Sequence, residues 1–539
     1  MKATRRGVLG AAGLVGLAAI GVKGAAGAQE TPKRITIGKP YELRTIDPHS
    51  STDQTAWELH SVVYSLTFLD YRDGVFEAAP GLAETITPVD DTTYVFSIRK
   101  GVTFHNGREL SAEDVVFSLD RALDPEIGSW WRTRLGPMVE PATPTAGAPA
   151  GVGVTFEVSG PLEITATLTE PYGAFLQALA ATVTAIVPGD EVASGEIDLN
   201  TQMVGTGPFK VTDHAEDQHW IMARHDGYWQ DGAPLADELV WQIMPDESAR
   251  LAALRAGDIQ ITTFDNPLNL NLAQSTPNVS AHEQLTTNSY LMLVNAAHPE
   301  LADERVRQAI SLAIDRQQLV DVGISGRASV SGPVPAGFAT YATPVGELPF
   351  YTRDVERAKA LLAEAGYPDG LATTLMVLPV LTVTVPMAEL MRAQLAEVGI
   401  AVEIVQKDLA SFVQAWAVDY SAHLTLLWFA GFSEPYLFLL NFLSASFNPI
   451  VGAEGVGIDP LLRELSTAID PDERKAILAQ IETQIATEGY FQFLATRNNF
   501  VAWRSDLIEG VELAAADGFG LPYWHVIENV SACRSVGLS

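Results

Sequence analysis

Two apolar periods alternate along almost the whole chain, and together they restrict it to a mixed α/β fold. Tyr94, Phe96 and Ile98 recur at every second position, as on one face of a strand. Ser111 then offers a hydroxyl to cap a helix, Asp114 stands at its third position, and Val115, Val116 and Leu119 supply an apolar stripe. Val306, Ala309, Ile310, Ala313 and Ile314 have helical spacing. So do Val355, Ala358, Leu361, Leu362 and Ala365, stopped by Gly366, and Leu390, Met391, Leu395 and Val398, stopped by Gly399. Ile400, Val402 and Ile404 return to the strand period, and the apolar run Leu424 to Phe432 reads as a buried strand. Asp470-Pro471 opens a last long helix, with Glu473 placed to complete a capping box and Ile477, Leu478, Ile481 and Ile485 as its buried stripe. Strand and helix signals in alternation predict mixed α/β architecture.

A chain of 539 residues predicts two or three domains. Hydrophobic residues make up 47%, enough for a real core, and the single cysteine, Cys533, excludes an intrachain disulfide. The one compositional break, Glu140 to Gly153, is rich in Pro, Ala and Gly and reads as a loop or insertion. Acidic residues number 66 against 34 basic, a net charge of −32. That balance argues against nucleic acid as a partner, because affinity for phosphates comes from Lys and Arg. It also disfavours docking to an anionic membrane.

The N-terminus carries a compartment signal. Arg5-Arg6 precede a small, Gly/Ala-rich apolar run from Gly10 to Val22, and Ala26-Gly27-Ala28 fits the small-x-small cleavage rule. The run is short for a membrane span, and the pattern resembles a twin-arginine export signal over residues 1–28. Cleavage after Ala28 would remove Lys2, Arg5, Arg6 and Lys23 and no acid, leaving the mature chain more negative still. No cysteine stands at the cleavage site, so a lipid anchor is not expected, and the mature protein is expected free in a periplasm.

Catalytic motifs are missing. There is no phosphate-cradling Gly-rich loop ending in Lys-Ser/Thr, no His-Glu-x-x-His and no Gly-x-Ser-x-Gly. Ten histidines are scattered, and His214, His219 and His225, five and six apart, lack tight metal spacing. Paired acids such as Asp90-Asp91 and Asp303-Glu304 sit at turn and helix-start signals, where solvation and the helix dipole account for them. Neither a catalytic group, a metal nor a cofactor is expected, and binding is the simpler role.

Several stretches, in order, carry a family resemblance. The most specific is Tyr94-Val-Phe-Ser-Ile-Arg-Lys-Gly-Val-Thr-Phe-His-Asn-Gly-Arg-Glu-Leu-Ser-Ala-Glu-Asp-Val-Val-Phe117; within it, Phe104 to Gly107 reads as a turn and His105 as a turn residue. Ile46-Asp-Pro-His49, Pro80-Gly-Leu-Ala-Glu84, Gly205-Thr-Gly-Pro-Phe209, Asp226-Gly-Tyr-Trp229, Ala256 to Ile261, Val306 to Ile310, Ala313 to Arg316 and Lys359 to Tyr367 follow in register. The set, spanning about Arg34 to Trp524, resembles the extracellular solute-binding proteins of family 5, the receptors of peptide, dipeptide and nickel ATP-driven importers. The resemblance implies a periplasmic-binding-protein type II clamp: two α/β lobes with a hinge plus a small inserted domain. Lobe I would comprise 29–60, 201–287 and 488–539, the small domain 61–200 and lobe II 288–487, with crossing segments near Gln284–Tyr290 and Glu488–Phe493. It further implies a cognate permease in the inner membrane, a small-molecule or peptide ligand, and a monomer.

In peptide-binding members the cleft wall carries Trp-x-Ala-Asp, then Glu-Pro, and the aspartate pairs with the peptide ammonium. The corresponding run is Trp428-Phe429-Ala430-Gly431-Phe432-Ser433-Glu434-Pro435, so the aspartate is replaced by Gly431. Either another acid substitutes, Glu434 or Asp53, or the ligand lacks a free ammonium, as a neutral oligosaccharide or an opine-like compound would. Thr425 stands where some peptide binders place an arginine. The resemblance implies Asp53, Gln54, Tyr290, Trp428, Phe429, Gly431 and Glu434 as ligand-binding positions. For Phe432 and Tyr436, core packing and cleft lining both remain open.

Overall fold

A computed structural model describes residues 33–508, apart from 52–53, 65–66, 73–74, 138–151, 380–382, 444–449 and 452–455. The export-signal segment, the 140–153 loop (all but its last two residues) and Cys533 therefore lie outside the described residues, as does Asp53.

Strand β1 (Arg34–Lys39) opens the described chain. Six strands follow in two small sheets of their own. β2 (Thr67–Arg72) pairs with β3 (Val75–Pro80), and β4 (Ala83–Pro88), β5 (Thr93–Ile98), β6 (Val154–Gly160) and β7 (Glu163–Leu168) form an antiparallel sheet in the order β4-β5-β7-β6. From there on every strand joins β1 in one eleven-stranded sheet. These are β8 (Phe209–Ala215), β9 (His219–Arg224), β10 (Glu238–Ile243), β11 (Ile261–Phe264), β12 (Val279–Val294), β13 (Ala328–Val330), β14 (Leu371–Val377), β15 (Ile400–Gln406), β16 (Leu424–Phe429) and β17 (Phe491–Arg504). Its order is β15-β14-β16-β12-β17-β11-β1-β10-β9-β8, with β13 on β17.

The long pair β12 and β17 runs through both halves of that sheet. Over Ser289–Val294, β12 pairs with β16, and over Phe500–Trp503, β17 pairs with β11. Between the halves the register breaks: Leu285 opposes Asn498 but Ser289 opposes Thr496. Thr286, Thr287 and Asn288 bulge out of the ladder and are almost wholly buried. On β17 this break falls at Thr496–Asn498, and a second shift, between Tyr290 and Leu291 on β12, falls between Ala495 and Phe493. Phe491 and Phe493 pair with Leu293 and Leu291 well inside the half that holds β14 and β16.

Local signals hold. Ser111 caps the helix Ala112–Leu123 with a reciprocal capping box to Asp114. Val116 alone falls off its buried stripe, which runs through Val115, Ser118, Leu119 and Ala122. Asp470 caps Pro471–Glu488 by accepting from the amides of Asp472 and Glu473, while Glu473 returns no bond to the cap. Gly366 and Gly399 end their helices at φ of +96° and +91°, where a side chain would be strained.

Alternate residues of β12 and β16 feed two cores. Met292, Val294, Leu424 and Leu426 pack with Ala309, Ile310, Met387 and Met391 of the helices on one face. Leu291, Leu293 and Leu427 pack on the other with Ile477, Leu478 and Ile481, and that cluster continues into Phe96, Phe175 and Leu119 beside the small sheets. Each such fully buried side chain contributes roughly 1.5–3 kcal/mol.

Candidate ligand-binding cleft

β1, β10 and β11 are mutually parallel, and so are β14 and β16. Parallel strands deliver their carboxyl ends to one side, which is where open α/β sheets bind ligands. Tyr41 stands two residues beyond β1 and is exposed. Asp265 directly follows β11. Trp428 and Phe429 end β16 and are half-buried.

Arg497, at the register break of β17, joins these ends. Its Nη2 donates to Asp265 Oδ1 at 2.6 Å. Its guanidinium carbon lies 6.0 Å from the Trp428 ring centre, at the edge of cation–π range. Burial opposes the Arg497 charge, but Asp265 and Tyr290 hold its pKa above the ordinary value. Tyr290 is the cross-strand partner of Trp428 and is buried. Burial raises the Tyr290 phenol, with Arg497 pulling it back. Trp428 Nε1 is buried and meets no acceptor, an omission that costs about 1–3 kcal/mol.

Phe429 packs on Trp416 and on Phe442, whose ring centre is 5.4 Å away. Phe432 and Tyr436 are buried. Phe432 stacks on Trp131 at 5.5 Å and 8°, and Tyr436 meets Tyr172 edge-on at 5.6 Å, so both are packing residues.

Gly431 is glycine for a steric reason. A Cβ there would lie 2.1 Å from Thr287 Oγ1 and 2.4 Å from the Thr287 carbonyl carbon. The Gly431 amide donates to Asn288 Oδ1 at 2.5 Å, and Thr287 Oγ1 donates to the Phe432 carbonyl at 2.9 Å. The loop after β16 is thus laced to the β12 bulge, and an aspartate does not fit. Glu434 does not replace it. One of its oxygens pairs with Arg474 and the other accepts from the Leu437 amide at 3.1 Å as the cap of Pro435–Leu439. That carboxylate is buried and committed, which corrects its expected role as an ammonium partner. Gln54 opens the helix Gln54–His60.

Sequence reasoning missed a second aromatic group. Trp57 Nε1 and Trp130 Nε1 both donate to the Ser51 carbonyl, at 3.2 and 2.9 Å. Next to them the Arg134 guanidinium lies 5.0 Å from Trp130, 5.5 Å from Trp131 and 5.2 Å from Phe432. It donates to Asn441 Oδ1 at 2.7 Å and to the Trp130 carbonyl, pairs with no carboxylate among the described residues, and burial draws its pKa down to about 10. Two tryptophans and two arginines within Ser129 to Arg134 were the available signal. Asp265 and Arg497 carried only a positional one, the end of a strand. His105 is in a turn, as expected: Nε2 bonds the Gly207 carbonyl at 3.0 Å, and its amide donates to the Gly205 carbonyl. Among the described residues, metal-ligating side chains converge at one place, His298, Glu300 and His423, far from these strand ends.

The fold agrees with those of known proteins this chain is similar to. Heme-binding protein A of Haemophilus influenzae is 29% identical over 449 residues, 78% of this chain and 79% of that one. Di/tripeptide-binding protein 3 of Pseudomonas aeruginosa is 28% identical over 458 residues, 81% of this chain and 84% of that one. The periplasmic binding protein DppA of Helicobacter pylori, solved with the peptide STSA, superposes with a TM-score of 0.73 at 24% identity, covering 92% of this chain and 97% of that one. The model of the bacterial extracellular solute-binding proteins, family 5 (Middle), matches residues 77–449, and the chain belongs to that family.

Proposed function

We propose that the chain captures peptides or peptide-like solutes between two lobes and delivers them to the permease of an ATP-driven importer. The observation that carries this is the Arg497–Asp265 pair set beside Trp428 and Tyr290. A zwitterionic peptide can exchange both partners at once, its carboxylate taking the guanidinium and its ammonium taking Asp265. An apolar side chain or peptide plane then lies on the Trp428 ring, whose free N–H offers a donor to a peptide carbonyl. Relatives named for dipeptides, for di- and tripeptides and for glutathione support the same class. A neutral solute loses its motive, because Thr287 already accounts for Gly431.

The remainder of the proposal rests on the sequence pattern. Residues 1–28 act as a cleaved twin-arginine signal, the mature protein works as an unanchored periplasmic monomer, and 61–200 form the small domain. No ligand is turned over.

A thermal-shift panel tests the reading, since a ligand that binds only the folded form raises the melting temperature. Di- or tripeptides should shift the wild type, and Arg497→Met should weaken peptide binding about tenfold or more. A shift produced by oligosaccharides and by no peptide would refute the peptide assignment.

A further inference from the structure

The described residues bring three metal-ligating side chains together at the end of β16 opposite Trp428. His423 immediately precedes β16 and Trp428 ends it, so the two lie about 16 Å apart at ~3.3 Å per residue. One donor atom from each of His298, Glu300 and His423 lies within 4.8 Å of the other two. The imidazoles of His298 and His423 stack with centres 3.7 Å apart, and His423 Nδ1 lies 2.8 Å from Glu300 Oε1. His298 Nε2 is buried and has no hydrogen-bond partner. The half-buried ring is held below the ordinary histidine value by partial desolvation, with proximity to His423 adding to the effect.

The scaffold is pre-built. Asn295 Nδ2 donates to the carbonyls of Tyr420 and Ala422, at 2.8 and 2.9 Å, stitching the loop after β12 to the loop before β16. The Asn295 amide donates to the His423 carbonyl at 2.9 Å. The short 3₁₀ turn Pro299–Leu301 fixes the spacing of His298 and Glu300. From β14, the Thr373 hydroxyl lies 3.3 Å from His423 Nδ1 as an outer support.

We propose that His298, Glu300 and His423 form a transition-metal site at the end of lobe II remote from the cleft. Two imidazoles and one carboxylate suit Zn²⁺ and its borderline neighbours Ni²⁺ and Cu²⁺, whereas Mg²⁺ and Ca²⁺ ask for more oxygen ligands. Metal–nitrogen bonds of about 2.0 Å require donor atoms about 3.3 Å apart, so side-chain adjustments of an ångström or so complete the set. The ion takes the place of the His423–Glu300 hydrogen bond: neutral His423 ligates through Nδ1 with its one ring proton on Nε2, and Glu300 ligates as the carboxylate. Three protein ligands leave a position for water. The site is independent of the peptide reading, and either holds if the other fails.

Tag-free, chelator-treated full chain should bind one Zn²⁺ by calorimetry and melt at a higher temperature with zinc. His298→Ala and His423→Ala should each weaken zinc binding about tenfold or more while leaving any peptide-induced thermal shift in place. Glu300→Gln, which keeps shape and removes the charge, serves if either alanine variant fails to fold, and should weaken zinc likewise. Absence of saturable zinc binding by the wild type, or unchanged affinity in the folded variants, overturns the site.

Discussion

Gly431 shows how one residue carries two messages. In the sequence it marks a missing carboxylate; in the structure it marks a backbone pressed against Thr287. Restoring the aspartate therefore should not restore an ammonium anchor. Gly431→Asp is expected to destabilise the protein by about 1–3 kcal/mol, since overpacking a filled site carries that cost. A lower melting temperature with no gain in peptide affinity is the expected result, and tighter peptide binding at undiminished stability would contradict it. The positions that replace it in the account, Asp265 and Arg497, are 232 residues apart. No local pattern links them, because only the pairing of β11 with β17 brings them together. The His298–His423 contact escaped for the same reason.

Secondary elements were the most legible part, because their signals are local. The Ser111 box and the Asp470 cap need only three or four neighbours, and both are present. Strand β17 runs unbroken from Phe491 to Arg504, so no local turn signal marks where one half of the sheet passes into the other. Turn-to-turn docking is harder to read: His105 meets the Gly205–Gly207 turn, and His49 Nε2 lies 2.7 Å from the Ala185 carbonyl. Burial lowers His49 and His60 to about 4 and His105 to about 3. A histidine depressed in the folded state stabilises fully above its unfolded pKa of about 6.5, and that stability is lost as pH falls from there towards the folded value. Each contributes a slope of roughly 1.4 kcal/mol per pH unit. Glu482, raised to about 7 by burial, acts in the opposite sense, stabilising at low pH and losing that contribution between its unfolded value and 7. A His105→Asn variant isolates the effect: its unfolding free energy should fall less steeply than the wild type's between pH 6.5 and 4.5. Parallel slopes would contradict the assignment.

At the scale of the molecule, a single sheet whose long central pair, β12 and β17, runs through both halves shows how a clamp is built from a continuous chain. Both halves share β12 and β17, whose ladder is interrupted at Leu285–Ser289 and again at Tyr290–Leu291. Strand ends from both halves meet there, and Arg497 among them pairs with an acid on one side and faces an indole on the other. Family and fold were legible because ordered motifs cover most of the chain. Ligand chemistry was not, because it depends on residues that only the sheet assembles. The most direct test is native mass spectrometry of the protein purified without refolding from its own cells. The account predicts a bound species that fragments into amino-acid residues and is lost or sharply reduced in Arg497→Met. A bound sugar, or a peptide retained undiminished by the variant, would contradict it.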